Sequence, residues 1–316
     1  MSKIRKVPFA AGAEWVWAGI ALLRKAPLPL YAIGAMGFAV MLAAALAAMM
    51  LTAGPASPES SLSTPFVFLL SIVQVMLVFG VPSLVFGGII WAMREVDHGR
   101  RPGVGSVFKG FARPRLFSLL ATLVPQFLVA TLLSLLLLSM LGGDGEQRLV
   151  EVANQLNELR AAGNKPDVEQ VNQVMSALPV WRILMWVVLA AVATLTVSVL
   201  VLLAIPQIVF EGRGGFSSLR RSLGIWARNV PALLLFIGLL VMALFAVAFV
   251  LNILLFVLQF LLGPAFAAMV VQLLLLTTMI LLVAGSTYCA WKRLFAVETD
   301  GDTATAPPPR QVNITV

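Results

Sequence analysis

Charge is scarce in this chain, and so are the residues that do chemistry. Only 11% of its 316 residues are Asp, Glu, Lys or Arg, where a soluble domain carries about 25%. Hydrophobic residues make up 60%. That leaves too little polar surface to cover a water-soluble particle of this size, so a bilayer is the remaining solvent. A single cysteine, Cys289, excludes an internal disulfide and any multi-cysteine metal site. The single histidine, His98, follows an apolar run in REVDHGRRPG, without the Cys or carboxylate cluster that a zinc site needs. No metal and no cofactor is expected.

What is abundant is long apolar sequence. Six runs are expected to span a membrane as an all-α protein: 28–52, 65–93, 115–141, 180–210, 230–262 and 265–291. The fifth run would be on the order of 50 Å long as one straight helix, against a hydrocarbon core of ~30 Å. It is expected to tilt, or to break near Asn252. Eighteen of the 22 lysines and arginines fall on one side of these spans. The positive-inside rule then puts both termini in the cytoplasm of a bacterial inner membrane. This distribution also explains the net charge of +8 without nucleic acid, because the basic residues flank apolar runs instead of forming a separate domain. The start, MSKIRKVPFAAGAEW, lacks the layout of a cleavable signal peptide. Residues 296–316, rich in Pro and Thr, read as a disordered cytoplasmic tail behind a single membrane domain over 1–295.

Three segments beside the spans are amphipathic: about 11–25, 103–113 and 215–228. In the last, Phe216, Leu219, Leu223 and Trp226 share one face, with Ser217, Arg220, Arg221, Gly224 and Arg228 opposite. In the second, Val104, Val107, Phe108 and Phe111 oppose Ser106, Lys109 and Arg113. In the first, Val16, Ile20 and Leu23 align beside a stripe of Glu14, Ala18, Ala21 and Lys25. Such helices lie in the interface, with cations toward headgroups. Arg24, Lys25, Lys109, Arg113, Arg220, Arg221 and Arg228, with Trp226, are the candidate contacts to anionic lipid headgroups. Each segment ends in Arg, then Pro, then a span: RKAP, RP and RNVP. Arg24, Pro27, Ile33 and Gly34 match Arg228, Pro231, Ile237 and Gly238 at a constant offset, which predicts a threefold interfacial-span-span repeat.

The segments GAEWVWAGIALLRKAP, VFKGFARP and GGFSSLRRSLGIWARNVPALLLF resemble a group of uncharacterised bacterial six-span inner-membrane proteins. More distantly they are similar to the membrane domain attached to some glycerophosphodiester phosphodiesterases. The resemblance implies six spans with an aromatic interfacial helix before the first. It does not bring the phosphodiesterase activity, because no such catalytic domain is present.

The spans carry no ionisable residue in their interiors. That lowers the expectation of ion-coupled transport, which places such groups at the midplane. Their polar residues are amides, chiefly Gln74, Gln126, Asn252, Gln259 and Gln272, expected to bond between helices or to line a substrate path. GRRPGVGSVFKG and GRGG lack the spacing of a phosphate loop. Outside, 142–179 reads as a net acidic helical hairpin, whose stretch 146–178 could dock a periplasmic or membrane protein partner. The expectation is a non-enzymatic, lipid-interacting accessory or scaffold of the envelope. A transporter or flippase of an amphiphile, and an envelope sensor reading through the hairpin, are the alternatives.

Overall fold

The computed structural model describes residues 6–52, 64–141 and 180–295, with Val150 and Asn154. The expected hairpin over 142–179, those two positions apart, and the tail over 296–316 lie outside the described residues.

The regular structure among the described residues is helical. Helix α1, Ala11–Lys25, stops at Ala26. Pro27 follows and disfavours helical backbone at the residue before it; Ala26 has φ −146° and ψ 66°. Then come α2 Pro27–Thr52, α3 Thr64–Val75, a π turn over Met76–Gly80, α4 Val81–Asp97 and a 3-10 segment over Val104–Phe111. Next are α5 Arg113–Leu120, α6 Leu123–Leu141, α7 Val180–Glu211, α8 Gly215–Arg228, α9 Val230–Leu262 and α10 Pro264–Leu294. Six stretches are long and apolar enough to cross a membrane: Pro27–Leu51, Phe68–Asp97, Arg115–Met140, Trp181–Glu211, Val230–Leu262 and Pro264–Leu294. The chain is therefore an all-α, multi-pass membrane protein.

Three local expectations need revision, and the alternative left open for the fifth run is decided. The second span is interrupted by the π turn, and Pro82 explains its place. A proline ring collides with the carbonyl four residues back, here Val78, so the backbone widens over Met76–Gly80. The third span is not one helix. It turns at Ala121–Thr122, where Pro125 would collide with the Ala121 carbonyl, and Thr122 Oγ1 donates to Leu119 O at 2.6 Å. The fifth run does not break at Asn252 but continues to Leu262. The segment near 103–113 is a 3-10 helix instead of an α-helix. Its three-residue turn buries Ser106, Val107 and Gly110 and turns Val104 and Phe108 outward, so the expected apolar face does not form.

Burial is uneven along the spans. The core gathers at the end that carries α1, the 3-10 segment and α8, called here the basic end. Trp15, Ile33, Ile89, Met93, Ile208 and Leu233 are fully enclosed there. Toward the opposite end burial thins: none is buried in α7 before Val199 or in α9 after Leu240, and in α2 and α10 only small side chains such as Ala48 and Ala267, with Val271, are enclosed. Phe245, Phe249, Phe256 and Phe260 stand exposed on α9. In water such a surface would be prohibitive; in hydrocarbon it has no such cost. A local tie in the open part is Trp186 Nε1 donating to Leu133 O at 2.8 Å, while the Tyr31–Thr278 hydroxyl pair at 3.0 Å joins α2 to α10 beside the core.

Candidate lipid-facing site

The three elements at the basic end dock through small residues. Helix α1 buries Gly12 and Gly19. A side chain at Gly12 would overlap the Ala232 carbonyl oxygen, and one at Gly19 would meet Ser286. In the 3-10 segment, Gly110 sits against the Leu84 carbonyl while Gly88 of α4 sits against the Val107 carbonyl, so two backbones touch. Helix α8 buries Gly215, Ser218, Ser222 and Ile225. Small faces of this kind let helices approach closely inside a membrane.

Trp15, Leu22 and Ile225 are buried beside these small residues, but other bulky side chains are left outside. Phe216 is 66% exposed, and Trp17, Phe108 and Leu223 are also exposed. Helix α8 therefore has three stripes: a small buried one, an apolar outward one and a basic one. Arg220 and Arg228 lie exposed on the third, as do Arg24 and Lys25 at the end of α1 and Lys109 in the 3-10 segment. Trp226 is half-buried against the core. Arg113 opens α5; its side chain is not among those described. Arg221 differs from its neighbours. Its side chain is only 13% exposed, donates to Glu211 Oε2 at 2.8 Å and lies 4.6 Å over the Phe295 ring. It is occupied in joining α8 to the ends of α7 and α10.

The intramembrane amides are not brought together. Gln74 and Gln126 are half-buried on α3 and α6. Asn252, Gln259 and Gln272 face outward, and Asn252 Nδ2 donates to its own helix at Ala248 O. A cavity of about 490 Å³ between α2, α4 and α10 is lined by Phe38, Met41, Phe86, Met279 and other apolar side chains, and by none of these amides.

Several polar residues that matter were not singled out in advance. Gln207, fully buried in α7, donates to Ser222 Oγ at 2.8 Å and to Leu203 O at 2.9 Å, which pins α8 to the bundle. Asn229 accepts from the Val7 N–H at 2.9 Å and donates to Ile225 O at 3.1 Å, so it closes α8 and holds the N-terminal segment. Asp97 accepts from Tyr288 Oη at 2.9 Å and Lys292 Nζ at 2.8 Å, with Lys25 Nζ 3.9 Å away. Glu14 pairs with Arg293. Arg94 lies over Phe210 and Arg115 over Trp91. These links tie α1, α4, α7 and α10 at one level. Gln207 had a legible signal, being an amide in an apolar run beside Pro206; the partners of Asp97 are 191 and 195 residues distant and had none.

Among the described residues there is no cluster of three His, Cys, Asp or Glu side chains able to hold a metal. His98 Nδ1 is bonded to Arg94 O at 2.7 Å. No family model, curated protein or solved structure matches the chain.

Proposed function

We propose that this is a non-enzymatic accessory or scaffold protein of a bacterial inner membrane, with its basic end in the cytoplasm and held there by anionic lipid. The α1, 3-10 and α8 elements are read as the interfacial members of a threefold repeat, each preceding two spans, in keeping with the resemblance to the six-span inner-membrane proteins. One observation carries the reading: on α8 the exposed Phe216 and Leu223 border the exposed Arg220 and Arg228. Bulky apolar groups on that scale seek acyl chains. Their position therefore sets the neighbouring guanidinium groups at headgroup depth. The apolar lining of the cavity between α2, α4 and α10, and the dispersed amides, weigh against a polar transport path.

The test is the ratio of anionic to neutral lipid retained by the purified protein. Changing Arg24, Arg220 and Arg228 together to Gln is expected to remove on the order of 3 kcal/mol of attraction at low salt. The difference should fade as ionic strength rises, because exposed charges are screened beyond about 10 Å at 0.1 M. An unchanged lipid ratio in this variant would defeat the lipid-holding role and favour the sensor or transporter.

A further inference from the structure

A second basic feature lies at the same end, set apart from the α8 face. A cavity of about 560 Å³ opens between the start of α2 and the end of α4. Lys25, Pro27, Leu28, Asp97, Arg100 and Arg101 line it. Its wall is built by a specific chain reversal. Gly99 has φ 73°, its N–H donates to Val96 O at 3.0 Å, and the Arg100 N–H donates to Glu95 O at 2.9 Å. This is the paired-bond helix ending that a left-handed glycine permits. It folds Arg100 and Arg101 back toward α2, and Pro102, which is buried, stops the helix from continuing.

The cations in this cavity are unequally committed. Arg100 is taken by Glu95, with Nε and Nη2 donating to its two oxygens at 2.6 and 2.9 Å. Asp97, the one carboxylate in the lining, already accepts from Tyr288 and Lys292. Lys25 stands 3.9 Å from Asp97 with more than half of its side chain exposed. Arg101 is exposed and has no ion pair or hydrogen bond among the described residues. Arg101 therefore faces the concave space without an ion pair among the described residues, and Lys25 has only a distant share of a carboxylate already bonded to Lys292. Pro27 and Pro29 carry no N–H, so the start of α2 offers few backbone donors and recognition there rests mainly on side chains. Leu28, 83% exposed in the same wall, gives the rim an apolar lip.

We infer that this cavity is a discrete binding site for one anionic phospholipid of the adjacent leaflet, with the phosphate held between Lys25 and Arg101 and an acyl chain leaving past Leu28. The inference rests on the lipid-interacting reading above and makes it specific: one built site in addition to a diffuse basic face. Charge complementarity selects an anionic headgroup, and the apolar lip at the membrane boundary selects a lipid over a free anion.

The experiment is native mass spectrometry of the full chain released from nanodiscs of mixed phosphatidylglycerol and phosphatidylcholine. The wild type should retain one phosphatidylglycerol after salt has stripped the rest. Changing Lys25 and Arg101 together to Gln should weaken that one lipid about thirtyfold, since each charge near the surface is worth roughly fivefold. Changing Lys25 to Arg and Arg101 to Lys should restore it, which separates charge recognition from damage to the fold. The Arg24, Arg220 and Arg228 variant should keep the single lipid and lose only the salt-labile ones. Wild-type retention in the Lys25→Gln, Arg101→Gln protein overturns the site while leaving the broader reading intact. Equal loss in both variants overturns it too, since only diffuse charge would then be acting. Absence of any anionic preference in the wild type defeats both. Displacement of the lipid by millimolar inorganic phosphate would assign the cavity to a soluble anion and overturn the lipid.

Discussion

Gly110 and Gly88 carry the contact between the 3-10 segment and α4, and neither has room for a methyl group. A Cβ on either would run into a backbone carbonyl, of Leu84 or Val107, which cannot rotate aside as a side chain can. Gly110→Ala should therefore cost about 1–3 kcal/mol, the usual range for overpacking. It should be read as a lowered melting temperature in detergent. Gly238→Ala is the matched comparison. Nothing lies within 4 Å of a Cβ there, so the change should be neutral or slightly stabilising, two turns inside α9. If both variants melt alike, the close approach is not what holds the segment. The comparison also bears on the repeat, in which Gly238 aligns with Gly34. A Cβ at Gly34 would meet Thr277 Cγ2 at 2.6 Å, so equivalent positions in the pattern occupy different surroundings.

At the scale of the element, α8 separates two arginine roles that its helical wheel merges. Arg220 and Arg221 are neighbours in sequence and lie on one charged face by periodicity. In the fold, Arg220 points to the surroundings while Arg221 sits between Glu211 and Phe295. Arg221→Gln should lower thermal stability by on the order of 1–2 kcal/mol, because it removes a charged hydrogen bond and a cation–π contact that are both mostly sheltered from water. It should leave the anionic lipid ratio unchanged. Arg220→Gln should do the reverse. Identical effects of the two on stability and lipid would sink this division of labour. The apolar period of the segment was legible in advance, as was its basic stripe. What was missed is the stripe of Gly215, Ser218 and Ser222. Small residues carry no hydropathy signal, and their value appears only when another backbone lies against them.

For the whole molecule, the decisive feature is that packing is concentrated at the basic end. Helices α7, α9 and α10 hold 32, 33 and 31 residues, roughly 45–50 Å each, against a core of ~30 Å. Their open ends must tilt or stand beyond the hydrocarbon, while the bound ends are held by Asp97, Glu211 and Gln207. Reporter fusions give the check on orientation. Those after Arg101, Arg221 and Glu298 should read as cytoplasmic, and those after Glu59 and Lys165 as outside. A mixed pattern would place α1, the 3-10 segment and α8 on different faces and end the repeat reading, and a reversed one would put the basic end outside and defeat the cytoplasmic orientation.

The sequence by itself determined the solvent, the number of spans and the asymmetry of basic charge. These follow from composition and run length, quantities that do not depend on which helix touches which. Hydrophobic periodicity also marked the amphipathic α1 and α8, because their polar and apolar residues recur at helical spacing. Only the tertiary structure decided which face of each element is buried and which cations are already paired. Those outcomes depend on contacts between residues far apart in the chain, such as Asp97 with Lys292, Gly19 with Ser286 and Asn229 with Val7. Inside a bilayer every helix face is apolar enough to bury, so hydropathy cannot choose among them. Close backbone approach and the pairing of a few polar groups make the choice.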